Sequence, residues 1–137
     1  ATIALSGVAG QLSDALFPGT PNNQCADIRG AFGGLPALAL VATVLVAPVA
    51  EETVFRGFVH AWLLGRVPAW AAAVVSATLF SVAHYAYGQP TIFLPIFCVG
   101  LVLAVMYTYT RSIWPGVIVH AGLNLLSTIV LLTSSNC

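Results

Sequence analysis

The sequence predicts an all-α protein: a polytopic transmembrane helical bundle of about four spans, preceded by an N-terminal amphipathic or truncated segment. Three observations carry this expectation. First, 59% of the 137 residues are hydrophobic and only 6% are charged, against about 45–50% apolar and about 25% charged in soluble domains. Second, the mean hydropathy is +0.97. Third, the apolar residues gather into four long stretches, and a spanning helix needs about 20 mostly apolar residues. Four acids (Asp14, Asp27, Glu51, Glu52) balance four arginines (Arg29, Arg56, Arg66, Arg111), and lysine is absent. With no clustered basic face, nucleic acid is excluded as a partner, and the lipid bilayer is the expected surroundings.

The elements follow in chain order. Residues 1–34 form an N-terminal amphipathic segment and polar loop. Leu5, Val8, Leu12 and Leu16 recur at helical spacing up to Phe17, as in a short interfacial helix or the end of a span. No basic region of a signal peptide precedes them, so a missing N-terminal portion is the expected explanation. From Pro18 to Gly34 the chain is rich in Gly, Pro and Asn, which favour turns. Residues 35–133 form the core, with apolar segments Leu35–Gly65, Pro68–Tyr87, Thr91–Thr110 and Trp114–Thr133. The first, about 45 Å long if fully helical, exceeds the ~30 Å hydrocarbon layer, and Pro48 is its expected kink. Short connections make consecutive segments antiparallel neighbours.

Parity puts Arg66 and Arg111 on one side of the membrane and Arg29 on the other, so the Arg66/Arg111 side is expected to be cytoplasmic. Cys25 and Cys137 fall together on the opposite side. A disulfide there fits the topology, although two unpaired thiols are the plainer expectation. Cys98 reads as a small hydrophobe within a span.

Ionisable groups inside a span cost at least ~2.5–3.5 kcal/mol each on insertion scales, so each is a candidate functional group. Glu52 and Arg56 lie one helical turn apart and can pair on one face. Glu51 is rotated by about 100° and meets Phe55 at the corresponding position, so it is the carboxylate left for proton transfer. The second segment ends on Phe80-Ser-Val-Ala-His84. The fourth carries His120 and Asn124, again one turn apart. Counted from the Arg66/Arg111 side at 1.5 Å per residue, Glu51 lies about 21 Å deep, His84 about 22 Å, His120 about 12 Å and Asn124 about 18 Å. Three helices thus bring polar groups to overlapping depth. Each has a plainer alternative: the histidines as structural groups, Glu52 with Arg56 as a buried pair, Phe80 as packing. His60 is read as interfacial and left outside the site.

The ordered set Glu51-Glu52-x-x-x-Arg56-Gly57, Phe80-x-x-x-His84 and His120-x-x-x-Asn124 resembles the three motifs of the CAAX prenyl endopeptidase type II family and its bacterial relatives, the CAAX protease and bacteriocin-processing (CPBP, or Abi) proteins. The resemblance covers residues 35 to about 130. It implies an intramembrane endopeptidase of prokaryotic plasma membranes that hydrolyses a peptide bond of a membrane-associated substrate. In eukaryotic members that substrate is a prenylated C-terminal CAAX segment. Glu51 would be the general base, His84 would share its water, His120 and Asn124 would stabilise the oxyanion, and Glu52 with Arg56 would support the site. Members usually carry further spans before the first motif, and a loop after it that is richer in Lys and Arg. No cofactor is expected. Alternatives stay open: a zinc-dependent version of the protease on Glu51, His84 and His120, a non-catalytic immunity or peptide-binding protein, and a proton-coupled carrier.

Overall fold

A computed structural model describes residues 35–84 and 90–133, with isolated positions 11, 15 and 30. The expected N-terminal helix and loop, and the Cys25/Cys137 pairing, lie outside the described residues. Four helices and no strands occur among those residues. Helix α1 is continuous through Pro36–Leu40, a π-helical stretch Val41–Val46, Ala47–Glu52, a second π-helical stretch Thr53–His60, and Ala61–Leu64. Helix α2 is Ala69–His84. A 3₁₀ turn, Pro90–Ile92, leads into α3 (Phe93–Thr110), and α4 is Trp114–Thr133.

Two of these helices are long and apolar enough to cross a membrane among the described residues, Ala37–Leu64 and Phe93–Thr110. That count is lower than the four spans expected. The described part of α2 has 16 residues, a rise of about 24 Å against a ~30 Å hydrocarbon layer. In α4 the described side chains end at Ile129. The backbone also stays helical through Pro48 instead of breaking there. Pro48 falls in the first turn of Ala47–Glu52, directly after the π-helical stretch Val41–Val46. The shift in hydrogen-bond register at that junction accommodates a residue without an N–H.

The helices pack through small residues. Ala72, Ala73, Ser76 and Ala77 of α2 are buried, as are Gly100, Leu103 and Ala104 of α3. Small residues four apart let helix backbones approach closely, the main source of helix association where lipid gives no hydrophobic drive. A Cβ on Gly100 would stand 3.1 Å from Phe80 Cδ1 and 3.3 Å from Ala77 Cα. The helix pairs are also pinned by hydroxyls: Ser76 donates to the Phe55 carbonyl (3.1 Å) and Ser81 to the Phe93 carbonyl (2.6 Å). Thr43, Thr53, Thr78, Thr108 and Thr110 each donate to the carbonyl one turn back, which satisfies the hydroxyl within its own helix. Arg111, at φ 53°, is a left-handed cap that closes α3, its N–H on the Tyr107 carbonyl.

Candidate active site

The site forms where the middle of α1 meets the C-terminal end of α2 and the first half of α4. Glu51 Oε2 stands 3.6 Å from His84 Nε2 and 3.6 Å from His120 Nε2. The same Oε2 is buried with no hydrogen-bond partner among the described residues, although the Glu51 side chain as a whole keeps 27% of its surface exposed. The carboxylate is therefore reachable while its reacting oxygen is shielded.

The far nitrogens of the two imidazoles fix their proton positions. His84 Nδ1 faces the Phe80 carbonyl at 2.8 Å. A carbonyl can only accept, so Nδ1 carries the proton and a neutral His84 presents a lone pair at Nε2. His120 Nδ1 lies 3.3 Å from Glu52 Oε1. With Glu52 ionised, His120 likewise donates from Nδ1 and presents Nε2 as an acceptor. Two imidazole lone pairs and one carboxylate oxygen thus converge with no proton of their own. Such a triangle accepts hydrogen bonds from a water molecule and takes a proton from it.

Glu52, wholly buried, is held from three directions. Its Oε1 lies 3.3 Å from Arg56 Nη1 across one turn of α1, and 3.3 Å from His120 Nδ1. Its Oε2 lies against the first turn of α4, so close that a Cβ on Gly116 would fall 2.7 Å away. The positive end of the α4 dipole there favours a carboxylate. Arg56 is also fully buried; its Nη2 donates to the Gly100 carbonyl at 3.0 Å, and its guanidinium lies 4.4 Å from the centre of the Phe80 ring. Phe80 in turn stacks tilted on His84 (4.6 Å) and edge-on to His120 (5.7 Å) and Phe55 (5.2 Å). One ring therefore sets both imidazoles and the arginine.

Asn124 occupies a different position. Its Nδ2 donates to the Thr43 carbonyl at 2.8 Å, in the first π-helical stretch of α1. One amide hydrogen remains for another acceptor. Thr43 Oγ1 and Thr128 Oγ1 meet at 3.3 Å just beyond.

His60 is fully buried within the bundle near the end of α1. Its Nε2 shares a 2.9 Å hydrogen bond with Thr108 Oγ1 of α3, and Tyr107 packs edge-on at 5.8 Å. The signal was present in the four-residue steps Glu52, Arg56, His60, which put all three on one buried face. Gly116 was also missed. Its only trace in the sequence is that it stands one turn before His120, and a glycine contact with a distant carboxylate cannot be read from one chain position.

Zinc on Glu51, His84 and His120 would need those side chains set around a common point. Among the described residues, no group of three or more His, Cys, Asp or Glu is arranged to hold a metal ion. Each Nε2 lies 3.6 Å from Glu51 Oε2, so the metal-free and zinc-bound readings differ only in what occupies the space between these three atoms.

Comparison with known proteins agrees with the geometry. The sequence profile described as type II CAAX prenyl endopeptidase Rce1-like matches residues 33–126, a stretch that contains every residue of the site. The chain is also similar to "Putative membrane peptidase YdiL" of Bacillus subtilis (strain 168), with 23% identity over 119 residues. That match covers 86% of this chain and 47% of the relative, so the chain spans about half the relative's length. No solved structure matches. With most of its length inside the profile and two helices apolar enough to span a bilayer, the chain is a membrane protein of the type II CAAX prenyl endopeptidase Rce1-like family.

Proposed function

We propose that the protein is an intramembrane endopeptidase of a prokaryotic plasma membrane that hydrolyses a peptide bond with water activated by Glu51. The observation that carries this reading is the meeting of Glu51 Oε2 with two imidazole Nε2 atoms, each 3.6 Å away. Water that donates one hydrogen bond to Glu51 and the other to an imidazole Nε2 gives a proton to Glu51 and attacks the scissile carbonyl as hydroxide. As the tetrahedral oxyanion forms, the free amide hydrogen of Asn124 donates to it, while His120, whose Nε2 is an acceptor here, keeps to orienting the water. Glu51 then returns its proton to the leaving amine, so the carboxylate is regenerated. Glu52 and Arg56 keep His120 in its Nδ1–H form and in register. Neither needs to contact the substrate.

The substrate class that fits is a membrane-associated peptide, because the carboxylate sits well inside a helix that is itself apolar enough to span. The test is cleavage of a panel of prenylated CAAX-type and unprenylated membrane-anchored peptides by the full chain in liposomes, each with and without exhaustive chelation. The proposal expects cleavage that Glu51→Ala abolishes and chelation leaves intact. Loss of cleavage on chelation with recovery on added zinc would replace it with the metal version. Cellular function fully retained by Glu51→Gln and His84→Ala would favour a peptide-binding protein.

A further inference from the structure

The end of the bundle made by the α1–α2 and α3–α4 turns carries features that the catalytic reading leaves unused. All three tryptophans of the chain are there: Trp62 in the last turns of α1, Trp70 at the start of α2 and Trp114 at the start of α4, exposed by 53%, 73% and 60%. Arg66 and Arg111 are there too, and no acid of the described residues lies nearer along the chain than Glu52. That the two turns share one end follows from the His60–Thr108 hydrogen bond and from the approach of Gly57 to Ile113. Tryptophan and arginine without acids mark the headgroup layer of a bilayer.

A groove of about 470 Å³ opens between α1 and α2 at this end, lined by Phe58, Val59, Trp62, Leu63, Val75 and Leu79. Every lining side chain is apolar apart from the indole N–H. The groove runs inward from Trp62 to Leu79, which stands ten residues from the start of α2, about 15 Å along its axis. Its volume falls within the usual range of about 300–1,000 Å³ for ligand sites. At its interfacial end the Arg66 guanidinium stacks on the Trp62 ring at 4.0 Å, and Nη1 donates to the Trp62 carbonyl at 3.0 Å. The guanidinium is thus held in place beside the groove with donors to spare, and no carboxylate pairs with it among the described residues.

We propose that this groove is a binding site for an anionic phospholipid of the bilayer, with one acyl chain between α1 and α2 and the phosphate on Arg66. The apolar lining selects a hydrocarbon chain, and the fixed, unpaired guanidinium selects net negative charge at the chain's headgroup. An apolar peptide segment would fill the groove but leave the cation unneutralised. A zwitterionic lipid brings a phosphate whose charge its own ammonium offsets. None of the site's catalytic candidates lines the groove, so the proposal stands independently of the peptidase reading.

The test is native mass spectrometry of the full chain after equilibration with equimolar phosphatidylglycerol and phosphatidylcholine of identical chains. One retained phosphatidylglycerol is expected, preferred about fivefold for a single arginine at the surface. Arg66→Gln should lose the preference, Arg66→Lys and Arg111→Gln should keep it, and Leu79→Trp, which fills the groove, should lose retention of both lipids. Circular dichroism of each variant confirms its helical content before it is scored. Equal retention of the two lipids by the wild type, no retained lipid, an equal loss in Arg111→Gln, or displacement by millimolar inorganic phosphate would overturn the proposal.

Discussion

Glu52 and Arg56 have no exposed side-chain surface, in a protein with so few charges that each one in the core demands compensation. Burying either alone would be severely unfavourable, and the pair persists because His120 and the Gly100 carbonyl add hydrogen-bond partners and the positive end of α4 lies against Glu52. Removing one partner strands the other. Arg56→Ala is therefore expected to cost about 3–5 kcal/mol in reversible unfolding from mixed micelles. Gly116→Ala places a methyl group where Glu52 Oε2 now lies, so the carboxylate must leave its position against α4. That overpacking should cost about 1–3 kcal/mol, and cleavage should fall while peptide binding is retained. An unchanged rate in Gly116→Ala would show that Glu52 need not sit there.

At the scale of elements, the helical period made much of the site legible. Spacing of four residues put Glu52 with Arg56 and His120 with Asn124 on shared faces, and rotation separated Glu51 from Glu52. Depth was harder to read. Counting at a uniform rise left His120 well short of Glu51, yet their side chains meet at 3.6 Å. The cause lies partly in α1, where π-helical stretches carry more residues per turn and so cover less length than the count assumes. Long side chains close the remaining gap. Such stretches recur at functional sites, and here they flank the Ala47–Glu52 segment that presents both carboxylates. The role of Phe80 was likewise invisible: the sequence marks it as packing, and only the structure shows that it packs on His84, His120 and Arg56 together. Phe80→Leu should keep the fold and lower the cleavage rate, read as a fall in kcat with little change in KM. Gly100→Ala tests the α2–α3 seam, since its methyl would press on Phe80 and Ala77. A loss of about 1–3 kcal/mol is expected, and a variant as stable as the wild type would mean that the helices can part without penalty.

For the whole molecule, the scarcity of charge sorts into two uses. The Glu–Glu–Arg group is gathered around one buried site, and the exposed arginines stand at one end with the tryptophans. Composition foretold the all-helical membrane fold. It did not foretell how many helices would reach spanning length, because the described part of α2 stops at His84. The distribution of arginine predicts that the Arg66/Arg111 end faces the cytoplasm. A Ser112→Cys variant, in a background with the other cysteines replaced, should react with a membrane-impermeant thiol reagent only after the cells are opened. Labelling of intact cells would reverse the orientation. The account rests above all on Glu51 as the group that activates water. Its most direct test is the single-turnover cleavage rate of Glu51→Gln in liposomes, compared with wild type and with the same substrate bound. Loss of the general base should lower the rate by about 10²–10⁴-fold with substrate affinity preserved, whereas a rate within a few-fold of wild type would contradict the mechanism.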